Sequence, residues 1–246
     1  NPAMSIFEIM EQLQHGRTTA TAVTIPEGFE LRQIAARLRD QGLVDYNKFM
    51  ELALDASKVF GDSPPLEIPI ASLEGYLFPD AYRISYGQTE AEIIRQMVGR
   101  FSEVVLPAVE GMVGRWGLGL HEIITLASIV EREVMVDWER PLVASVFLNR
   151  LRINMPLQAD PTVRYVMRED RSRVLYRDLE IDSPYNTYQN SGLPPGPIAS
   201  PGLASIMAVL EPADTDYYYF VARGDGTHQF SRTFAEHVQA RQQLGY

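Results

Sequence analysis

Leu120-His-Glu-Ile-Ile-Thr-Leu-Ala-Ser-Ile-Val-Glu131-Arg-Glu133-Val-Met135 carries its apolar residues at the spacing of a helix. Placed on a wheel of about 100° per residue, Leu120, Ile123, Ile124, Ala127, Val130, Val134 and Met135 fall within a sector of about 140°, the face expected to be buried. Glu131 falls within about 20° of Leu120, inside that apolar sector, whereas Glu122 and Glu133 fall on the opposite side, where solvent is expected. An ionised carboxylate in an apolar surrounding is costly. It pairs with a cation, holds a proton, or lines a cleft. Glu131 therefore reads either as a member of a buried Glu–Arg pair or core hydrogen bond, or as a general acid, and periodicity alone does not choose.

Working outward toward the C-terminus, a second helix is expected from about Asp137. Asp160-Pro161 and Ser200-Pro201 each read as an N-cap residue before a proline in the first helical position. Between them, Ser183 to Gly202 holds five prolines and three glycines, too irregular for a regular element, and long ordered loops of this kind often carry function. Asp216 to Ala222 and Thr227 to Phe230 flank Gly224-Asp225-Gly226 as a β-hairpin, and a last helix starts near Thr233. Toward the N-terminus, Thr89-Glu-Ala-Glu92 is a capping box opening a helix. The stretch from Ser72 to Tyr82 gathers Tyr76, Phe78 and Tyr82 around Gly75 and Pro79, as a groove lining or a core under a loop. Gly61-Asp-Ser-Pro-Pro65 reads as a boundary. Before it come a strand over Thr21 to Ile25, a helix from Phe29 to Gly42 and another from Tyr46 to Ala53. A capping box at Ser5-Ile-Phe-Glu8 predicts a first short helix to about Leu13. The fold class expected is α+β: a small strand-helix-helix unit followed by a mainly helical domain with a C-terminal β-hairpin.

Composition narrows the function. The 246 residues include 22 Lys and Arg against 32 Asp and Glu, a net charge of −10, which disfavours nucleic acid as a partner. There is no Cys, hence no thiolate nucleophile, iron–sulfur site or disulfide. The four histidines are scattered without HExxH, and no GxSxG elbow is present, so neither a metal site, a cofactor nor a His-dependent triad is expected. No apolar run approaches the ~20 residues that cross a bilayer. The start at Asn1-Pro2, with the first Met at position 4, reads as that of a processed or truncated product.

Six ordered motifs give the chain a resemblance. Val23-Thr-Ile-Pro-Glu-Gly28, Ser72-Leu-Glu-Gly-Tyr-Leu-Phe-Pro-Asp80, Leu126-Ala-Ser-Ile-Val-Glu131-Arg-Glu133, Val143-Ala-Ser-Val-Phe-Leu-Asn-Arg-Leu151, Leu157-Gln-Ala-Asp-Pro-Thr-Val163, and Tyr185-Asn-Thr-Tyr188 with Gly192-Leu-Pro-Pro-Gly-Pro-Ile198 resemble the MltG/YceG-like endolytic murein transglycosylases over nearly the whole chain. Ala81 departs from the threonine expected after Pro-Asp. The resemblance implies a remnant of a preceding unit over residues 1–19, a LysM-like subdomain over 20–70 and a catalytic domain over 71–246. It implies cleavage of nascent peptidoglycan glycan strands, peptidoglycan synthases (penicillin-binding proteins) as partners, and a place on the outer face of the cytoplasmic membrane. Any membrane attachment would be through an N-terminal helix that this chain does not contain.

The same resemblance assigns the catalytic acid to Glu131. A lytic transglycosylase works with one carboxyl group: it protonates the oxygen between N-acetylmuramic acid and N-acetylglucosamine, then takes the proton of the muramoyl C6 hydroxyl as that oxygen attacks C1, leaving a 1,6-anhydro end. Glu74, Tyr76, Gln158, Tyr185, Asn186 and Tyr188 are the substrate-binding candidates, because their stretches combine hydrogen-bonding groups with sugar-stacking rings. Each has a plainer reading as core aromatic, turn cap or ion-pair member, and Asp160 is left to its N-cap role. Two alternatives stay open: a hydrolytic muramidase with a second carboxylate activating water, and a non-catalytic peptidoglycan-binding module.

Overall fold

The computed structural model describes residues 20–61, 63–167 and 174–246; the helix expected from Ser5 to Leu13 lies outside them. Strand β1 (Ala20–Thr24) leads through the Pro26-Glu27-Gly28 turn into α1 (Leu31–Asp40), α2 (Tyr46–Ala53) and the short α3 (Ala56–Phe60). After an irregular stretch come β2 (Ala81–Ser85), α4 (Glu90–Val109), α5 (Leu120–Glu133), α6 (Arg140–Arg152) and α7 (Asp160–Met167). A long loop then reaches α8 (Leu203–Leu210), the hairpin β3 (Tyr219–Ala222) and β4 (His228–Ser231), and α9 (Phe234–Leu244). Helices with two small antiparallel sheets make this an α+β fold.

Local signals account for many boundaries. Thr89 and Thr233 cap α4 and α9 through reciprocal boxes with Glu92 and Glu236, and Asp45 caps α2 through Lys48 N–H. Strand β2 was not apparent in the sequence. It pairs antiparallel with β1, Val23 opposite Tyr82 and Thr24 opposite Ala81, so the small sheet joins residues on the two sides of the Pro64-Pro65 connection. Ala81 occupies an exposed strand position there.

Helix α5 is the central element, packed against α6, α7 and α8. From Ile123 to Val130 every residue is buried, so it has no solvent face over its middle turns. Its buried polar groups are all bonded: Thr125 Oγ1 donates to His121 O, and Ser128 Oγ donates to Thr125 O and accepts from the distant Ile198 N–H. The wheel assumed one buried face, and two expectations change with it. Met135 is 80% exposed, because the helix ends at Glu133, and Glu133 itself turns toward protein. Ser200 is not an N-cap. Its N–H donates to Phe29 O and its carbonyl accepts from Gly28 N–H, which holds it against the β1–α1 turn, and α8 begins later, capped at Gly202.

The hairpin is anchored through α6 and the 3-10 turn before it. Glu139, fully buried, accepts from His228 N–H and pairs with His228 Nδ1, while Asn149 donates to the Thr215 and Tyr217 carbonyls.

Candidate active site

The end of α5 presents two carboxyl groups to different surroundings. Glu131 Oε2 accepts from Ser205 Oγ at 2.7 Å and from Gly202 N–H at 3.1 Å, both at the start of α8. Its Oε1 lies 3.5 Å from Arg140 Nη2, and Arg140 also pairs with Asp137. The Glu–Arg pair that the helix pattern left open is thus present. The β1–α1 turn closes over it. Arg132 donates to Gly28 O at 3.0 Å. Glu27 packs so closely on Gly202 that a Cβ there would come within 2.0 Å of its Oε1. Partial burial, and next the charge of Glu131, push the Glu27 carboxyl above its ordinary range.

Glu133, half-buried, faces the other way. Burial first, and the negative charge of Asp160 second, push its carboxyl up to about 8, against the opposing charges of Arg164 and Arg150. No described residue donates a hydrogen bond to it. Asp160 opens α7, and its Oδ1 accepts from Tyr188 Oη at 2.7 Å rather than capping the helix as the sequence suggested. The turn before α7 is tied to the same loop: Gln158 N–H donates to Thr187 O and Ala159 N–H to Thr187 Oγ1. Gln158 has φ 48°, a left-handed conformation uncommon for a residue with a side chain, and is exposed beside Asp160.

The remaining candidates separate. Tyr185 and Glu74 share a cavity of about 520 Å³ with Tyr165, Arg32, Tyr46 and Met50. Glu74 is buried there, accepts from Leu31 N–H at the start of α1, and is pushed up to about 8, first by burial and then by Glu30. Tyr76 and Asn186 face the interior instead. Tyr76 is fully buried against Phe101, with its hydroxyl 2.7 Å from His121 Nδ1. Asn186 Nδ2 donates to Leu179 O and Ile181 O while its Oδ1 accepts from Tyr188 N–H, so all its polar atoms serve the loop. Both side chains therefore point into the protein, bonded to its own groups.

Sequence reasoning missed Glu133, Asp160 and Glu27 as members of this neighbourhood. Glu27 and Asp160 both lie in the quoted motifs, and Glu133 two residues from the anomaly, but their meeting depends on contacts distant in the chain. Among the described residues, no group of three or more His, Asp or Glu is arranged to hold a metal ion.

The chain matches the YceG-like family over residues 1–243 and belongs to that family. Among its relatives, the endolytic murein transglycosylase of Bacillus subtilis strain 168 is 39% identical over 256 residues, covering 98% of this chain and 70% of the relative. The enzyme of the same name from Streptococcus pneumoniae serotype 2 strain D39 is 31% identical over 276 residues; the match covers 97% of this chain but only 50% of that protein. The 2.6 Å crystal structure of a yceG-like protein from Listeria monocytogenes superposes with a TM-score of 0.78 at 36% identity, covering 97% of this chain and 82% of the other.

Proposed function

We propose that this chain is an endolytic murein transglycosylase that cuts the bond between N-acetylmuramic acid and N-acetylglucosamine in peptidoglycan glycan strands, with Glu133 as the proton donor. Family membership and the names of its relatives support the reaction class. The choice of residue rests on one contrast. A general acid must meet the bond with its proton on. Glu133, half-buried and pushed up to about 8, favours its protonated form at neutral pH and accepts no hydrogen bond from any described residue. Glu131, the residue that the resemblance assigns, already accepts from Ser205, Gly202 and Arg140.

In this reading Glu133 transfers its proton to the glycosidic oxygen as the C1–O bond breaks. Charge builds on C1, the muramoyl C6 oxygen attacks it, and the C6 hydroxyl proton returns to the Glu133 carboxylate. The product is a 1,6-anhydro end, no water is consumed, and the acid is regenerated. Gln158 and Tyr188 stand beside the reacting centre. Tyr185 and Glu74 line a cavity shared with α1 and α2, so the LysM-like unit over residues 20–70 contributes to glycan binding. Peptidoglycan places the protein in the cell envelope and makes strand-building synthases its natural partners. No helix among the described residues is long and apolar enough to cross a membrane, and attachment is assigned to a preceding helix.

Paired substitutions test the residue. Glu133→Gln is expected to lose at least about 10²–10⁴ in turnover on isolated glycan strands while remaining folded; Glu131→Gln is expected to retain turnover within about tenfold. A folded Glu133→Gln enzyme with full activity beside an inactive, folded Glu131→Gln enzyme returns the role to Glu131.

A further inference from the structure

We propose that the cavity shared by α1, α2, α7 and the loop that follows α7 binds a primary ammonium group on an alkyl chain, with Glu74 as its counter-ion; the group is the side-chain amine of the peptide that branches from each muramoyl residue. The inference deepens the reading of peptidoglycan as substrate and rests on it for the source of the amine. Its starting point is how the cavity of about 520 Å³ is built. Leu31, Tyr46 and Met50 line it from α1 and α2, Tyr165 from α7 and Tyr185 from the loop, the last two with ring centroids 5.1 Å apart. Glu74 lines the same space while only 4% exposed. Its carboxyl group is fixed in place. Leu31 N–H donates to its Oε1 at 3.0 Å and to its Oε2 at 3.3 Å, and Tyr165 Oη donates to Oε2 at 3.4 Å. The backbone is held as well, since Glu74 N–H donates to Ser72 Oγ at 3.1 Å.

What this carboxyl group lacks is a cation. Among the described residues, no lysine or arginine forms an ion pair with Glu74. Arg32, which also lines the cavity, is committed to Glu30, Nε to Oε2 at 2.6 Å and Nη2 to Oε1 at 3.2 Å. Two carboxyl groups thus meet the cavity against one guanidinium. The charged and titratable groups facing Glu74 are Glu30 and Arg32 at the start of α1, Tyr165 of α7 and Tyr185 of the loop; burial first, and Glu30 second, push Glu74 up to about 8. A buried carboxyl group without a countercharge favours its neutral form, and a cation entering the cavity reverses that preference. An ammonium supplies the missing charge and is attracted by tyrosine faces, while Leu31, Met50 and Leu54 suit the methylene chain behind it. A sugar ring brings hydroxyl and amide groups and leaves the charge unanswered. Acylation of the amine, as in a cross-link between strands, removes its charge, so the cavity selects strands not yet cross-linked.

The probe is a muramoyl tripeptide ending in lysine amide, which has no glycosidic bond to cut, compared with its Nε-acetyl form, which keeps the chain and loses the charge. Binding to the full chain is followed by NMR titration of backbone amides. At pH 8 the free amine is expected to bind at least about tenfold more tightly than the acetylated form, with shifts at Leu31 and Tyr185. The amine stays protonated throughout and pairs with ionised Glu74, so its affinity is expected to fall at least about tenfold from pH 8 to pH 6, while that of the acetylated form changes less than about twofold. Glu74→Gln keeps an oxygen for the Leu31 N–H and is expected to bring the two forms within about twofold of each other. Equal binding of the two forms by the wild-type chain overturns the proposal, and that comparison needs no variant to fold. So does tighter binding of the amine at pH 6 than at pH 8, which is what a neutral group accepting from protonated Glu74 gives. If the amine binds as expected while glycan strands are not cut, the site stands and the reaction class fails; if strands are cut and the amine makes no difference, the reaction class stands and the site fails.

Discussion

Glu131 and Glu133 point about 200° apart around α5, and that angle gives them opposite surroundings. Glu131 joins α5 to α8 and α6 through Ser205, Gly202 and Arg140. Among the described residues Glu133 meets the like charge of Asp160 and the opposing charges of Arg164 and Arg150, and no hydrogen-bond donor. The wheel located an acid in an apolar sector, and the residue found there forms the ion pair that was the plainer reading. It missed the second acid because α5 is enclosed on all sides from Ile123 to Val130, so the face opposite the apolar sector is protein as well. The two residues are expected to differ in stability as sharply as in turnover. Glu131→Gln weakens its bonds to two donors and leaves Arg140 short of a partner while about 11% exposed, a loss of about 1–3 kcal/mol. Glu133→Gln removes a carboxyl that folding makes harder to ionise. The sign follows from its raised value: the native state loses stability as pH climbs from 4.5 toward about 8, so at pH 8 the amide variant is expected to be as stable as wild type or more so. Urea denaturation of both variants at pH 8 measures this, and the reverse order contradicts the assignment of roles.

At the level of elements, sequence signals that act within a few residues were readable and those that act across the chain were not. The capping box at Thr89, the helix start near Thr233, the span of α2 and the β3–β4 hairpin follow from neighbours close in sequence. Strand β2 escaped notice because Ala81–Ser85 is short and becomes a strand through pairing with β1, some sixty residues earlier. The irregular stretch before it is fixed in a comparable way. Gly75 has φ 85°, and a Cβ on it would lie 2.4 Å from Pro197 Cβ and 2.6 Å from its Cγ, so the Ser72–Asp80 segment and the proline-rich loop meet with no room between them. Gly75→Ala combines a left-handed backbone with a collision against a rigid ring and is expected to cost about 2–4 kcal/mol. A chemical denaturation midpoint equal to that of wild type rules out this close approach.

For the whole molecule, the boundary read at Pro64-Pro65 is crossed by more than a linker. The β1–β2 sheet, the bond from Leu31 N–H to Glu74, the Gly28–Ser200 bond and the Arg132–Gly28 bond all tie the first unit to the rest. One continuous cluster of buried side chains runs from Val23 to Leu210. The β1–α1 turn reaches the end of α5, and α1 and α2 form one wall of the cavity that holds Tyr185. We propose that one carboxyl group serves as acid and then base, with the sugar's own C6 oxygen as nucleophile. Digestion of glycan strands in ¹⁸O-labelled water, followed by mass spectrometry of the new ends, tests it most directly. Intramolecular attack gives 1,6-anhydromuramoyl ends carrying no label; reducing N-acetylmuramic acid with one labelled oxygen at C1 as the main product would contradict it.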